Sequence, residues 1–134
     1  MGFKDISNIA GSAMAAQTVR LNTIASNLAN ANAVAGSETE AYRARKPVFA
    51  AIVGEEGVAR VQVLDVVQSA EPLRKMHEPD NPLADADGNV FYANVNEVAE
   101  MADMMAASRA FETNVEVMSR IKSMQASLLK LGES

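Results

Sequence analysis

An α+β fold is predicted for this chain, with long N- and C-terminal helices forming a coiled-coil-like pair and a small β-rich insert between them. Three observations predict it. Apolar residues recur with four-and-three spacing from residue 5 to about 33, a Val-rich alternating texture fills residues 46 to about 93, and a second long apolar stripe runs over 96–131. The corresponding segments are an N-terminal amphipathic helix at 1–34, a loop and β-rich insert at 35–94, and a C-terminal amphipathic helix at 95–134.

The first helix is carried by Ile6, Ala10, Met14, Gln17, Leu21, Ile24, Leu28 and Ala31, with Gln17 the one polar intrusion in the seam. Within it the stretch LNTIASNLANANAVAG holds Asn22, Asn27, Asn30 and Asn32, and no charge lies between Leu21 and Ser37. Asparagine is a weak helix former, about 0.6 kcal/mol worse than alanine per site. At 100° per residue Leu21, Ile24, Leu28 and Ala31 share a sector of about 80°, opposite Asn22, Thr23, Ser26, Asn27 and Asn30. A solvated face normally carries Lys, Glu or Arg. This uncharged one is read as a second interface, where buried asparagines fix the register of one subunit against another. Gly36 is read as the helix stop, and AGSETEAYRAR as the connecting loop.

The insert begins with PVFAAIV, a GEEG turn and VARVQVLDVVQ, two strands joined tightly, with Arg60, Val61, Gln62 and Val63 alternating. EPLRKMH supplies a third strand, PDNPLADADG a loop and NVFYA a short last strand. About fifty residues of this kind bury little surface alone, so the insert is expected to lean on a helix or a neighbour. Of the basic residues ahead of it, Arg43, Arg45 and Lys46 read as a solvated segment, or alternatively as a contact for an acidic neighbouring subunit.

The second helix has Asn94 or Asn96 as a cap, Glu97, Glu100 and Asp103 early, and Lys122 and Lys130 late, in keeping with its dipole. Its stripe runs Met101, Met104, Ser108, Phe111, Val115, Met118, then Ile121, Met124, Leu128 and Leu131, and drifts around the helix. A partner must therefore cross it or wrap around it, or there is more than one partner. The methionines fit either an ordinary helix core or an adaptable helix-binding groove.

Composition excludes much. The apolar fraction of 49% contains 24 alanines and only 4% of the chain is aromatic, so side-chain volume for a large core is missing. With 12 basic against 17 acidic residues, the net charge of −5 gives no reason to bind nucleic acid. The absence of cysteine removes disulfides, thiolate metal sites and cysteine nucleophiles. The N-terminal segment has no apolar run long enough for a cleaved signal, and nothing approaches a membrane span. The acidic loop with Asp80, Asp85, Asp87 and Gly88 fails the calcium-loop spacing, because Leu83 and Asn94 fall where Asp and Glu are needed. His77 lacks the partners of a zinc or triad site. No catalytic, metal or cofactor residue is therefore assigned, and the chain is read as a non-enzyme.

Two motifs carry a family resemblance. Ser26, Asn27, Leu28, Ala29, Asn30 and Asn32 near the start, and Asn94, Val95, Asn96, Glu100, Met101, Ser108, Arg109, Phe111 and Asn114 near the end, resemble the bacterial flagellar axial proteins of the rod and hook class. The chain is similar to the basal-body rod family over essentially its whole length. It departs from the pattern in Ala33, Val34 and Ala35 ahead of Gly36, where a Thr and a Gly-containing turn are usual, and in Phe111, where Tyr is common.

The resemblance implies a structural subunit of the proximal rod, self-assembling helically through its terminal helices as part of the torque-transmitting shaft and of the export channel wall. It implies as partners copies of the chain, other rod proteins and the flagellar type III export apparatus, with export lacking a cleaved signal and a final place in the periplasm-spanning rod. Neither nucleic acid nor membrane insertion is expected. On that reading Leu21, Ile24, Asn27, Leu28, Asn30 and Asn32 form the N-terminal interface. Met101, Met104, Arg109, Phe111, Asn114, Val115, Met118, Ile121 and Leu128 form the C-terminal one. The competing class is a soluble coiled-coil adaptor that binds partner helices.

Overall fold

A computed structural model describes residues 2–133; Met1 and Ser134, the outermost residues of the two segments predicted as helical from sequence, lie outside the described residues. The fold is α+β. Helix α1 spans Phe3–Ala29, followed by strands β1 (Val34–Ala35), β2 (Arg45–Val53), β3 (Ala59–Gln68), β4 (Arg74–His77) and β5 (Asn89–Tyr92), and by helix α2 (Glu97–Glu133).

Helix α1 starts at Gly2, whose N–H donates to Asp5 Oδ2 at 2.8 Å, an acid placed where the helix dipole favours it. The hydroxyls of Ser12, Thr18 and Thr23 fold back on the carbonyls of Ile9, Met14 and Val19, so these polar residues are satisfied within the helix. The helix ends earlier than its periodicity predicts. Both the backbone N–H and the side-chain amide of Asn30 take the Ser26 carbonyl, at 3.1 and 2.8 Å, which caps the last turn. The chain then turns, and Val34–Ala35 pairs antiparallel with Phe91 and Tyr92 of β5. Gly36 is thus not the helix stop. It is where the backbone passes the 79–88 loop so closely that a Cβ would sit 2.7 Å from the Leu83 carbonyl oxygen.

The insert divides into two separate sheets. Strands β2 and β3 make a ribbon paired from Arg45↔Gln68 to Val53↔Ala59, with Leu64 bulged out opposite the Val48–Phe49 step. Its turn is closed by Gly54 N–H to the Val58 carbonyl, with Gly57 at φ +76°. The other sheet has β5 in the middle between β1 and β4, and there Val90 is fully buried and Phe91 nearly so. After Gln68 the chain leaves the ribbon because the carbonyls of Ser69 and Glu71 are drawn to the side chains of Arg43 and Asn94.

Helix α2, about 55 Å long, outreaches α1 at about 40 Å. It starts with Asn96 Oδ1 accepting the Ala99 N–H at 3.2 Å. The two helices lie antiparallel: Asn32 Nδ2 donates to Glu97 Oε1 at 3.2 Å, Arg20 faces Asp103 at 3.7 Å, and Phe3 shares a shallow hollow with Gln125, Leu128 and Leu129. Positions 100, 104, 107, 111, 114, 118 and 121 of α2 are buried or half-buried, in four-and-three steps, and every described residue from 122 onward is exposed. The face turned to α1 is rotated by about 60° from the predicted stripe, since 100° separates successive residues. Ala107, fully buried, takes a place on it that the predicted stripe gives to Ser108.

Helix α1 packs against α2 and against both strands of the ribbon. Its double burial explains the small residues: Ala10 and Ala16 are buried on it and Ala107 on α2, with Ile24 and Ile121 the larger apolar side chains buried on the two helices. One polar atom is stranded. Gln17 Oε1 is buried and has no hydrogen-bond partner among the described residues, a local defect of about 1–3 kcal/mol.

Candidate functional site

The two sequence motifs meet in space at the base of the ribbon. Asn27, on α1, is 1% exposed. Its Nδ2 donates to the Arg45 carbonyl at 2.9 Å, and its Oδ1 accepts the Arg45 N–H at 2.9 Å and the Tyr42 hydroxyl at 2.8 Å. The side-chain amide therefore pairs with both backbone groups of Arg45, as a neighbouring strand would. Tyr42, having given its proton to Asn27, stands 3.0 Å from Ser26 Oγ, which is left as the donor of that pair.

Asn94, three residues ahead of α2, holds the adjacent position. Its Oδ1 accepts the Ala44 N–H at 2.7 Å, while its Nδ2 donates to the carbonyls of Glu71 at 2.8 Å and Ser69 at 3.5 Å. The Ser69 N–H returns to the Ala44 carbonyl at 2.7 Å. Two asparagines from opposite ends of the chain thus clamp Ala44 and Arg45. Ser12 Oγ, further down α1, accepts the Val61 N–H of β3 at 3.1 Å. The span from residue 27 to 12 is about 22 Å of helix and the ribbon between the two contact points about 20 Å. The ribbon is fixed along the helix at both points.

Of the residues predicted for the N-terminal interface, Ile24 and Asn27 are buried, Leu21, Leu28 and Asn30 half-buried, and Asn32 exposed beside Glu97. Asn27 is engaged inside its own chain, and Asn30 caps its own helix. Of the C-terminal set, Ile121 is buried and Met104, Phe111, Asn114 and Met118 half-buried, whereas Met101, Arg109, Val115 and Leu128 are exposed. Asn114 bonds back to the Ala110 carbonyl at 2.8 Å. Sequence reasoning missed Tyr42 as a partner and, although it placed Asn94 in the second motif, gave that side chain no role beyond a possible helix cap. The available signal was that asparagine recurs in both motifs.

A second outward line on α2 carries Val98, Met101, Met105, Ser108, Glu112 and Val115, again in three-and-four steps. Val98 and Met105 are 77% and 69% exposed. This line lies about 120° around the helix from the face against α1.

The 78–92 lobe is held by a carboxylate. Glu78 Oε1 accepts the Tyr92 hydroxyl at 2.8 Å and Oε2 the Asn81 amide at 3.0 Å, with the Arg74 guanidinium 4.8 Å over the Tyr92 ring. The Asn81 and Tyr92 bonds favour the anion and hold the Glu78 carboxyl below its ordinary value, while the same bond from the other side raises the Tyr92 hydroxyl. Because the folded value is depressed, this support is present above about pH 4.3, the ordinary glutamate value, and is lost as pH falls through the lower folded one. Glu78→Gln is expected to melt below the parent at pH 6, with the gap closing towards pH 3; a gap that stays constant with pH contradicts the assignment. Asp85 Oδ1 is likewise occupied, accepting the N–H groups of Asp87 and Asn89 at 2.9 Å each. His77, exposed, only approaches Asn89 Oδ1 at 3.4 Å. No helix among the described residues is long and apolar enough to cross a membrane.

The segments that supply the clamp are the ones that match known families. Residues 8–36 match the flagella basal body rod protein family, and residues 86–131 match the flagellar basal body rod FlgEFG protein C-terminal family. The flagellar basal-body rod protein FlgC of Escherichia coli O6:H1 is 47% identical over 135 residues, covering 99% of this chain and all of the relative. FlgC of Salmonella typhimurium is 45% identical with the same coverage. FlgC of Agrobacterium fabrum is 33% identical over 93% of this chain and 91% of its own length. The chain belongs to the FlgC family of flagellar basal-body rod proteins.

Proposed function

We propose that the chain is a structural, non-enzymatic rod subunit that assembles helically with copies of itself and with other rod proteins through its two terminal helices. In this reading α1 and α2 form a coiled-coil-like pair in the wall of the shaft and of the export channel. The clamped ribbon, lying along α1, faces the outside. Export proceeds through the flagellar type III apparatus without a cleaved signal, and the assembled rod carries torque across the periplasm.

The observation that carries the reading is the second apolar line on α2. Val98, Met101 and Met105 are exposed on successive turns of one face, with Val115 further along beyond Ser108 and Glu112, although α1 already covers the first line, and an exposed apolar strip of this kind marks an interaction site. Four-and-three spacing on both lines supports helix-to-helix contact in two directions. The full-length match to rod proteins favours this role over that of a soluble adaptor.

The test is complementation. In a flagellated strain lacking its own copy, the tagged chain is expected to restore swimming and to copurify with basal bodies. Accumulation as a soluble cytosolic dimer, with basal bodies empty of it, would establish the adaptor instead.

A further inference from the structure

The β2–β3 ribbon has opposite charge at its two ends. At its tip Glu55 and Glu56 stand between Gly54 and Gly57, exposed and without an ion-pair partner among the described residues. Asp5 shares the cleft beside them, with Arg60 its one cation. At its base a polar hollow of about 440 Å³ is lined by Tyr42, Arg43, Arg45 and Gln68, with Glu40 the one acid on its rim. The Arg43 guanidinium is held in place there by the carbonyls of Ser69 and Glu71, and the Arg45 guanidinium lies 5.7 Å from the Tyr42 ring centre. Lys46 adds an exposed cation at the same end.

Resting on the assembly reading above, we infer that the ribbon is a head-to-tail docking element: the Glu55–Glu56 tip of one copy seats against the Arg43–Arg45 hollow at the ribbon base of the next. The two ends are about 30 Å apart at 3.3 Å per strand residue, so a tip cannot reach its own base and the contact is between copies. Arginine forks suit carboxylates, and a pre-held guanidinium loses little freedom on binding. Different surfaces meet in such a contact, so it links successive copies in a ring or an open helical array rather than closing as a two-fold dimer. Each exposed ion pair is weak by itself, and it is repetition along the assembly that makes the polarity effective.

Charge reversal tests it. Glu55→Lys/Glu56→Lys and Arg45→Glu/Lys46→Glu, each checked for an unchanged circular dichroism spectrum, are expected to lose most swimming-halo expansion and rod incorporation in the complementation strain. Combining all four reversals is expected to restore both. Because the chain has no cysteine, Glu56→Cys with Arg45→Cys provides an independent readout: oxidised basal bodies should yield a ladder of cross-linked multimers that neither single cysteine gives. A combination as defective as its parents, full function in either reversal, or incorporated double-cysteine protein without a ladder overturns the ribbon contact. A base reversal that the tip reversal fails to rescue assigns the hollow to a different partner and equally overturns it. The helix-seam variant Met101→Asp/Met105→Asp separates the two proposals, since its normal incorporation overturns the assembly reading itself.

Discussion

Asn27→Ala is expected to be the most damaging single substitution in the free chain. It removes three hydrogen bonds at a site only 1% exposed, leaves both backbone groups of Arg45 without that partner, and leaves the Tyr42 hydroxyl with Ser26 Oγ alone. Net loss of a made bond is about 1 kcal/mol and each buried group left unpaired costs about 1–3, so a total of about 3–4 kcal/mol follows. For a chain of this size that is about a 10 °C fall in melting temperature. The mechanism has its own signature. Hydrogen exchange at the Arg45 amide should accelerate well beyond that of amides in the middle of α2, because the ribbon base is released from α1 while the helix pair persists. Asn94→Ala should act at the neighbouring amide, Ala44, and the two changes should be strongly non-additive because they hold consecutive residues. A loss under about 1 kcal/mol for Asn27→Ala, with the Arg45 amide still protected, would remove the clamp from the account of this fold.

Met101→Asp/Met105→Asp is expected to have the opposite profile. Both side chains are exposed, so the free chain should keep its stability to within about 0.5 kcal/mol, as surface substitutions generally do. In the assembled rod the same positions would be buried, and an unpaired carboxylate there is disfavoured by several kcal/mol. The variant should be made and folded like the parent, yet be absent from purified basal bodies, with swimming abolished. Leu28→Asp is less selective, because Leu28 is half-buried already in the free chain and its loss weakens the monomer too.

Much of the architecture was legible from residue patterns. The two helices, the Val-rich ribbon with its Gly-Glu-Glu-Gly turn and the short strand at Asn89–Tyr92 all follow from spacing and turn chemistry, which are local properties. The end of α1 was not legible, because Ala31, Ala33 and Val34 continue an acceptable helical pattern. What stops the helix is the Asn30 side chain on the Ser26 carbonyl and the pairing of Val34–Ala35 with a strand more than fifty residues away. The separation of the insert into two sheets was hidden for the same reason, since it depends on where the Ser69 and Glu71 carbonyls find donors.

The uncharged asparagine face shows the division most clearly. From sequence it reads as an interface with another subunit; in the free chain Asn27 meets the ribbon of its own chain and Asn30 caps its own helix. By itself the sequence determined that these asparagines sit on a face away from the apolar seam and that α2 carries more apolar surface than one partner covers. Periodicity and composition report such things directly. Only the tertiary structure decided which surface each face meets, because a side-chain amide can satisfy any peptide group that chain topology brings within about 3 Å of it.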